Sequence, residues 1–237
     1  MKKIYFVIAA VAMMMAGCEK QAENEKVVDG INSFELNIQG FSDASGAKTH
    51  WDDAGLWWNE DGSDYLVINN VSFRVIKDGD TWKAISTDGV GPDNGNFYVA
   101  YPYTDGAGYS NHIYGPITFS NTTVPLASVS NTNSLTLYPC CAVIKLNASK
   151  KISFTITEGQ IATGGYIDTQ SKTIINPTGT TTSIALKSYM QEADGYYYYV
   201  VPIVGERLVC SKIKFGTTST TAASITLEKG KIYKVDI

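Results

Sequence analysis

The sequence predicts an all-β protein built as two tandem antiparallel β-sandwich domains, and three observations carry that prediction. Helical periodicity is almost absent beyond the first 17 residues. Short runs of Val, Ile, Tyr, Phe and Thr recur between Gly, Asn, Asp and Ser, and several of those runs alternate strictly between apolar and polar residues. The chain has 237 residues, 44% of them hydrophobic, which is enough for one large or two small cored domains.

At the N-terminus, Lys2 and Lys3 precede an apolar run from Ile4 to Met15 that ends in Ala16 and Gly17. The run is about a dozen residues, well short of the roughly 20 needed to cross a bilayer as a helix, so 1–17 reads as a cleaved signal peptide. Met15-Ala16-Gly17-Cys18 resembles the lipobox of bacterial lipoproteins, in which the cysteine thiol receives a diacylglycerol and becomes the mature N-terminus. Cys18 is the candidate lipidation site, and more than one acyl chain, palmitate among them, makes attachment stable at about 0.8 kcal/mol per buried methylene. Residues 18–32 follow as an acidic tether, with no aromatic and no apolar periodicity from Glu19 to Lys26. Its position behind the cysteine fits a plain spacer and an export signal to the outer face of the outer membrane, and both stay open.

The first sandwich is expected over 33–130. Phe34-Glu35-Leu36-Asn37-Ile38 alternates with one wet face, and Tyr65–Ile68, Ser72–Ile76, Thr81–Ile85 and Phe97–Tyr101 supply further strands. Lys77-Asp78-Gly79-Asp80 suits a tight hairpin, because its Asp-Gly pair tolerates positive φ. From Ala127 to Ser134 the chain reads ASVSNTNS, small and polar, which predicts a linker. The second sandwich is expected over 131–237, from Ala142–Leu146, Ser153–Thr157, Thr173–Ile175, Tyr196–Val201 and Lys212–Phe215. Its last stretch, SITLEKGKIYKVDI, reads as a hairpin about Lys229-Gly230 with Tyr233, Val235 and Ile237 on one face.

Net charge is −4 and the basic residues are scattered, so no nucleic-acid partner is expected. Beyond Cys18 the cysteines are Cys140, Cys141 and Cys210; strand neighbours face opposite ways, so at most one of the adjacent pair reaches Cys210. A Cys210 disulfide and free buried thiols both remain open, and no spacing suits zinc. His50 and His112 sit in no recognisable motif, and Gly-x-Ser-x-Gly, a phosphate-cradling loop and His-Glu-x-x-His are all missing. The acidic runs Asp52-Asp53 and Glu60-Asp61-Gly62-Ser63-Asp64 lack EF-hand spacing and read as turns. No catalytic residue, metal site or cofactor is therefore expected, and the chain does not read as an enzyme. Trp57-Trp58 send one indole to each face of a strand, so one is core and the other is a candidate for stacking on a glycan. Tyr196 to Tyr199 place two rings on each side, as a strand buried on both faces does.

AKTHWDDAGLWWNEDGSDYLVINN, then FRVIKDGDTWKAI, then FYVAYPY resemble the fimbrillin-like surface lipoproteins. The matching positions are Lys48-Thr49, Trp58, Asp64, Tyr65 to Ile68 and Tyr98 to Tyr103. LTLYPCCAVIKL, TGGYID, YYYYVVP and LEKGKIYKVDI follow in the order expected of that family. The resemblance implies two transthyretin-like Greek-key sandwiches that assemble by exchanging strands, an edge or groove of one subunit taking a strand of the next. It implies an outer-membrane location with the membrane as one partner, through Cys18, and fimbrial subunits or host or bacterial surface molecules as others. Glycan capture is the rival expectation. Two departures bear on the role. The only arginines are Arg74 and Arg207, which leaves Lys26 and Lys48 as candidate processing sites, and the chain ends on an ordinary strand without a donor segment. Both favour an anchor, cap or accessory subunit over a stalk.

Overall fold

The computed structural model describes residues 31–40, 42–43, 58, 62–93, 95–120, 123–147, 153–184, 196–216, 219–220 and 224–236, and among them there is no helix. Seven strands close into a barrel in the order β1 (Ser33–Ile38), β10 (Ser134–Pro139), β9 (Leu126–Ser130), β6 (Phe97–Tyr101), β3 (Tyr65–Ile68), β4 (Val71–Asp78) and β5 (Thr81–Ser86). A second sheet runs β16 (Tyr197–Pro202), β11 (Cys141–Asn147), β21 (Lys231–Asp236) and β2 (Ser42–Asp43). A third runs β14 (Thr173–Thr181), β13 (Ile161–Asp168), β8 (Ile113–Thr118) and β7 (Gly108–Ser110). Two smaller sheets complete the fold: β15 (Ser183–Ile184), β12 (Phe154–Thr157), β18 (Lys212–Phe215) and β19 (Ser219–Thr220) in one, β17 (Arg207–Cys210) with β20 (Ile225–Glu228) in the other.

The second sheet divides the interior. Cys141, Val143, Tyr198, Val200 and Ile232 join the barrel core of Phe34, Leu66, Phe73, Phe97 and Leu135, while Ala142, Ile144, Tyr197, Tyr199 and Val201 face the other way. There they meet Ile156, Ile213 and Phe215 of the β12–β18 pair and Leu208 and Leu227 of the β17–β20 pair. This explains three of the four consecutive tyrosines, Tyr197 to Tyr199. Every residue of β16 is buried, so a run with no polar alternation is what its position demands. A third cluster lies outside the barrel wall, where Val67, Ala100 and Ala127 pack on Tyr114, Ile117, Ile167 and Ile174 of the β7–β14 sheet.

Each strand expected from periodicity is present, and the 77–80 hairpin forms with Asp78 opposite Thr81. Only Gly79 of its two loop residues has positive φ, at 62°, as a type II′ turn requires. Three expectations are corrected. The first sandwich is instead a closed barrel. The linker expected over 127–134 is instead β9, a turn and the start of β10. Ala127 and Ser128 are small because they are buried in the wall, with Ala127 opposite Ala100 where the third sheet approaches, and Ser130 Oγ satisfies the turn through Thr132 and Ser134. A division at 130 falls within this hairpin, and the β8–β13 and β1–β10 ladders both cross it. Finally, Lys229-Gly230 does form a turn, with Gly230 at φ 70°, but its two strands part company. β20 pairs with β17, whereas β21 runs parallel to β11, with Ile232 in the barrel core and Tyr233 and Val235 against the second cluster. Apolar side chains on both faces require a covered position inside a sheet.

Candidate functional site

The structure gives β1 a distinctive place. Its alternation FELNI sends Phe34 and Leu36 inward and leaves Glu35 and Asn37 outside. On one side Ser33–Leu36 run antiparallel to Trp82–Ile85 of β5; on the other, Glu35–Ile38 run parallel to Ser134–Leu137 of β10. Further backbone bonds extend the seam: Ser86 N to Asn32 O at 2.9 Å, Glu35 N to Asn133 O at 2.8 Å and Gln39 N to Leu137 O at 2.8 Å. Asn37 Nδ2 donates to Ser134 Oγ at 3.3 Å on the outer face.

Inside, Phe34 is wedged edge-on between two rings, with centroids 5.4 Å from Phe73 and 4.9 Å from Phe97. Such T-shaped pairs add about 0.5–1.5 kcal/mol each beyond burial, and burying Phe and Leu side chains gives about 1.5–3 kcal/mol apiece. The start of the strand is closed over by the 88–92 loop. Ile31 N donates to Pro92 O at 3.1 Å, and Gly91 lies so close that a methyl there would overlap the Ile31 carbonyl. Asp88 Oδ1 shapes that loop by accepting from Ser86 Oγ and Val90 N. After β1 the chain pairs again as β2, with Ser42 and Asp43 beside Lys231 and Ile232 at the edge of the second sheet. β1 and β2 therefore take part in two sheets, and β1 is held by alternate apolar side chains and backbone bonds.

Of the candidate residues, Cys18, Lys26, Lys48 and Trp57 lie outside the described residues, as does His50. Trp58 is 3% exposed in the barrel core, edge-on to Tyr101 with centroids 4.7 Å apart. It has no face to offer a sugar, which corrects it as a stacking candidate. Tyr101 in turn donates its hydroxyl to Asp64 Oδ1 at 2.8 Å, and burial followed by that carboxylate pushes its phenol far above the ordinary value. His112 sits on the β7–β8 turn, its Nε2 3.7 Å from Asp168 Oδ1, and its carbonyl links the two hairpins by accepting from Thr169 N and Oγ1 at 3.0 and 2.8 Å. The three described cysteines are free, and each is in a different cluster: Cys141 in the barrel core, Cys210 in the second, Cys140 in the third. Cys140 lies at the bend between β10 and β11 and Cys141 begins β11, so the adjacent pair falls into different clusters.

β1 was legible in its alternation, but its parallel seam with β10 was not. The partner lies about a hundred residues away, and parallel pairing leaves no turn signature.

No protein-family model matches this chain, and no curated protein does. Among solved structures it is similar to a candidate cell adhesion protein of Bacteroides uniformis, with 10% identity and a TM-score of 0.49 over 87% of this chain and 93% of that one. It is also similar to a candidate cell adhesion protein of Bacteroides ovatus, at 13% identity and a TM-score of 0.46 over 86% and 91%. A fimbrial protein of the same species aligns at 13% identity and a TM-score of 0.41 over 87% of this chain and 48% of that one. Values in this range assign no family and no activity.

Proposed function

We propose that this chain is a lipoprotein held to the outer membrane through Cys18 that works in cell adhesion or fimbrial assembly, as an anchor, cap or accessory subunit, by strand-mediated contacts. The observation that carries the reading is the seating of β1 between β5 and β10. Withdrawing β1 would bare two edges with outward-pointing backbone groups, together with the sockets of Phe34 and Leu36, the arrangement that captures a strand from another molecule.

Chain order distinguishes the two candidate processing sites. A cut at Lys26 leaves β1 covalently attached to the body. A cut at Lys48 follows both β1 and β2, so the body would keep them only through hydrogen bonds and side-chain packing. The same cut separates Cys18 from the body. An intact chain is then the membrane-held form, and a chain cut at Lys48 is a form with a replaceable strand and no lipid of its own. The partner is a strand of another surface subunit with inward apolar residues two apart.

The test places a site-specific protease sequence at 46–50 and cuts the folded protein. The two pieces should stay together in buffer and part in urea, and a labelled peptide of residues 27–45 should replace the original segment over time. A cut protein into which the peptide never exchanges would refute strand capture. Separately, Cys18→Ser should move the protein from the membrane fraction to the soluble one, and retention in the membrane would refute lipid anchoring.

A further inference from the structure

The stretch 103–111 crosses from β6 to β8 at the margin of the third sheet. Tyr103 N donates to Tyr65 O at 3.0 Å at its base, and Thr104 N donates to the Tyr114 hydroxyl at 3.0 Å. Beyond these, its backbone bonds among the described residues are one turn, Ala107 N to Thr104 O, and the three-residue ladder pairing Gly108, Tyr109 and Ser110 with Gly115, Tyr114 and Ile113. The outward amide of Tyr109 is met by a side chain, Asn70 Oδ1 at 2.6 Å. Gly106 at φ 79° and Asn111 at φ 57° bracket the strand with left-handed residues, so each end is a bend.

Under this stretch lies an aromatic face. The Tyr109 ring is 5.1 Å from that of fully buried Tyr114 and 6.4 Å from that of Tyr98, and Tyr98 is 6.3 Å from the ring of His112. The Tyr114 hydroxyl is satisfied through Thr104. The Tyr109 hydroxyl is not: it is shut away from solvent and has no hydrogen-bond partner among the described residues. A buried donor without a partner forfeits its hydration and gains nothing in return, a penalty of roughly ten- to a hundred-fold in the equilibrium between closed and open states. Burial correspondingly pushes this phenol well above its ordinary value.

We propose that residues 105–111 form a strap poised to open ahead of the rest of the molecule, driven by rehydration of the Tyr109 hydroxyl, and that opening uncovers the Tyr98–Tyr114 aromatic face. The device is independent of β1 exchange, since none of its residues belongs to β1, β5 or β10.

Hydrogen exchange on the full-length chain tests it. In the wild type the amides of Ala107 and Tyr109 should exchange faster than ladder amides of β3 and β6. Tyr109→Phe removes the unsatisfied group and keeps the ring, so it should slow those two amides by roughly ten-fold or more. Tyr114→Phe removes a bonded hydroxyl and should not slow them. Asn70→Gly keeps the positive-φ geometry but loses the acceptor, and should speed exchange in the strap alone. Unchanged or faster exchange in Tyr109→Phe would show that the hydroxyl is satisfied when closed and overturn the proposal. So would strap amides no faster than those of β3 and β6 in the wild type, or an Asn70→Gly effect spread equally over the barrel.

Discussion

Phe34→Ala provides the sharpest measurement of what holds β1. Phe34 is fully buried and stands edge-on to both Phe73 and Phe97, while its cross-strand partner on β5 is only Ala84. Truncation removes the ring and leaves a cavity walled by two further rings that cannot swing in without breaking their own packing. Core Phe→Ala changes cost about 3–5 kcal/mol, and the double edge-on contact places this one toward the upper part of that range. Two assays report it. In urea unfolding of the intact chain, the loss should be about 3–5 kcal/mol with an unchanged denaturant slope. In the protein cut after β2, a 27–45 peptide carrying the substitution should bind at least about a hundred-fold more weakly than the parent peptide, since each 1.4 kcal/mol is ten-fold. Glu35→Ala, on the outer face of the same strand, is the control and should change either measurement by less than about 0.5 kcal/mol. If Phe34→Ala behaved like Glu35→Ala, β1 would not be held by its inward side chains, and the groove could not select a strand by its apolar pattern.

Three further outcomes follow from the same geometry. Gly91→Ala should destabilise the protein by about 1–3 kcal/mol or more and loosen residues 31–34 first, because the methyl meets the Ile31 carbonyl and no rotamer change relieves a clash with backbone; exchange rates at Ile31 and Phe34 would show it. Cys140, Cys141 and Cys210 should be unreactive toward a thiol reagent in the folded protein and react together on unfolding, since burial raises all three thiols, Cys140 to about 12. Alkali should destabilise the fold: in the unfolded chain thiols ionise near pH 8.5 and phenols near pH 10, whereas burial raises these groups in the folded one, including Tyr101 and Tyr114. The folded state then holds more protons, so its stability is complete below about pH 8.5 and declines as pH rises above it, which unfolding midpoints between pH 7 and pH 11 would display.

The strands themselves were legible wherever a local pattern reports burial. The alternation of FELNI gave β1 and its inward residues, the Asp-Gly pair gave the β4–β5 hairpin, and YYYYVVP showed a strand covered on both faces. The missed strands have patterns set by distant neighbours. β13 carries Gly164 and Gly165 within a ladder broken by register shifts, so its period is not two, and in β9 Ala127 is small where the third sheet lies against it. The turn at Lys229-Gly230 is a local signal correctly read as a turn, but which strands it joins into a ladder depends on the apolar demand of β21.

By itself the sequence determined the all-β class, most strands, and the inward set Phe34 and Leu36, because each is written in residues near one another along the chain. Only the tertiary structure decided that the first seven-strand sheet closes into a barrel, that Trp58 is core, that the three described cysteines lie in separate clusters and that β1 is clasped between β5 and β10. Those outcomes depend on which edges meet across long stretches of chain, and backbone hydrogen bonds between strands are the same for every residue, so nothing in a short window of sequence names the partner.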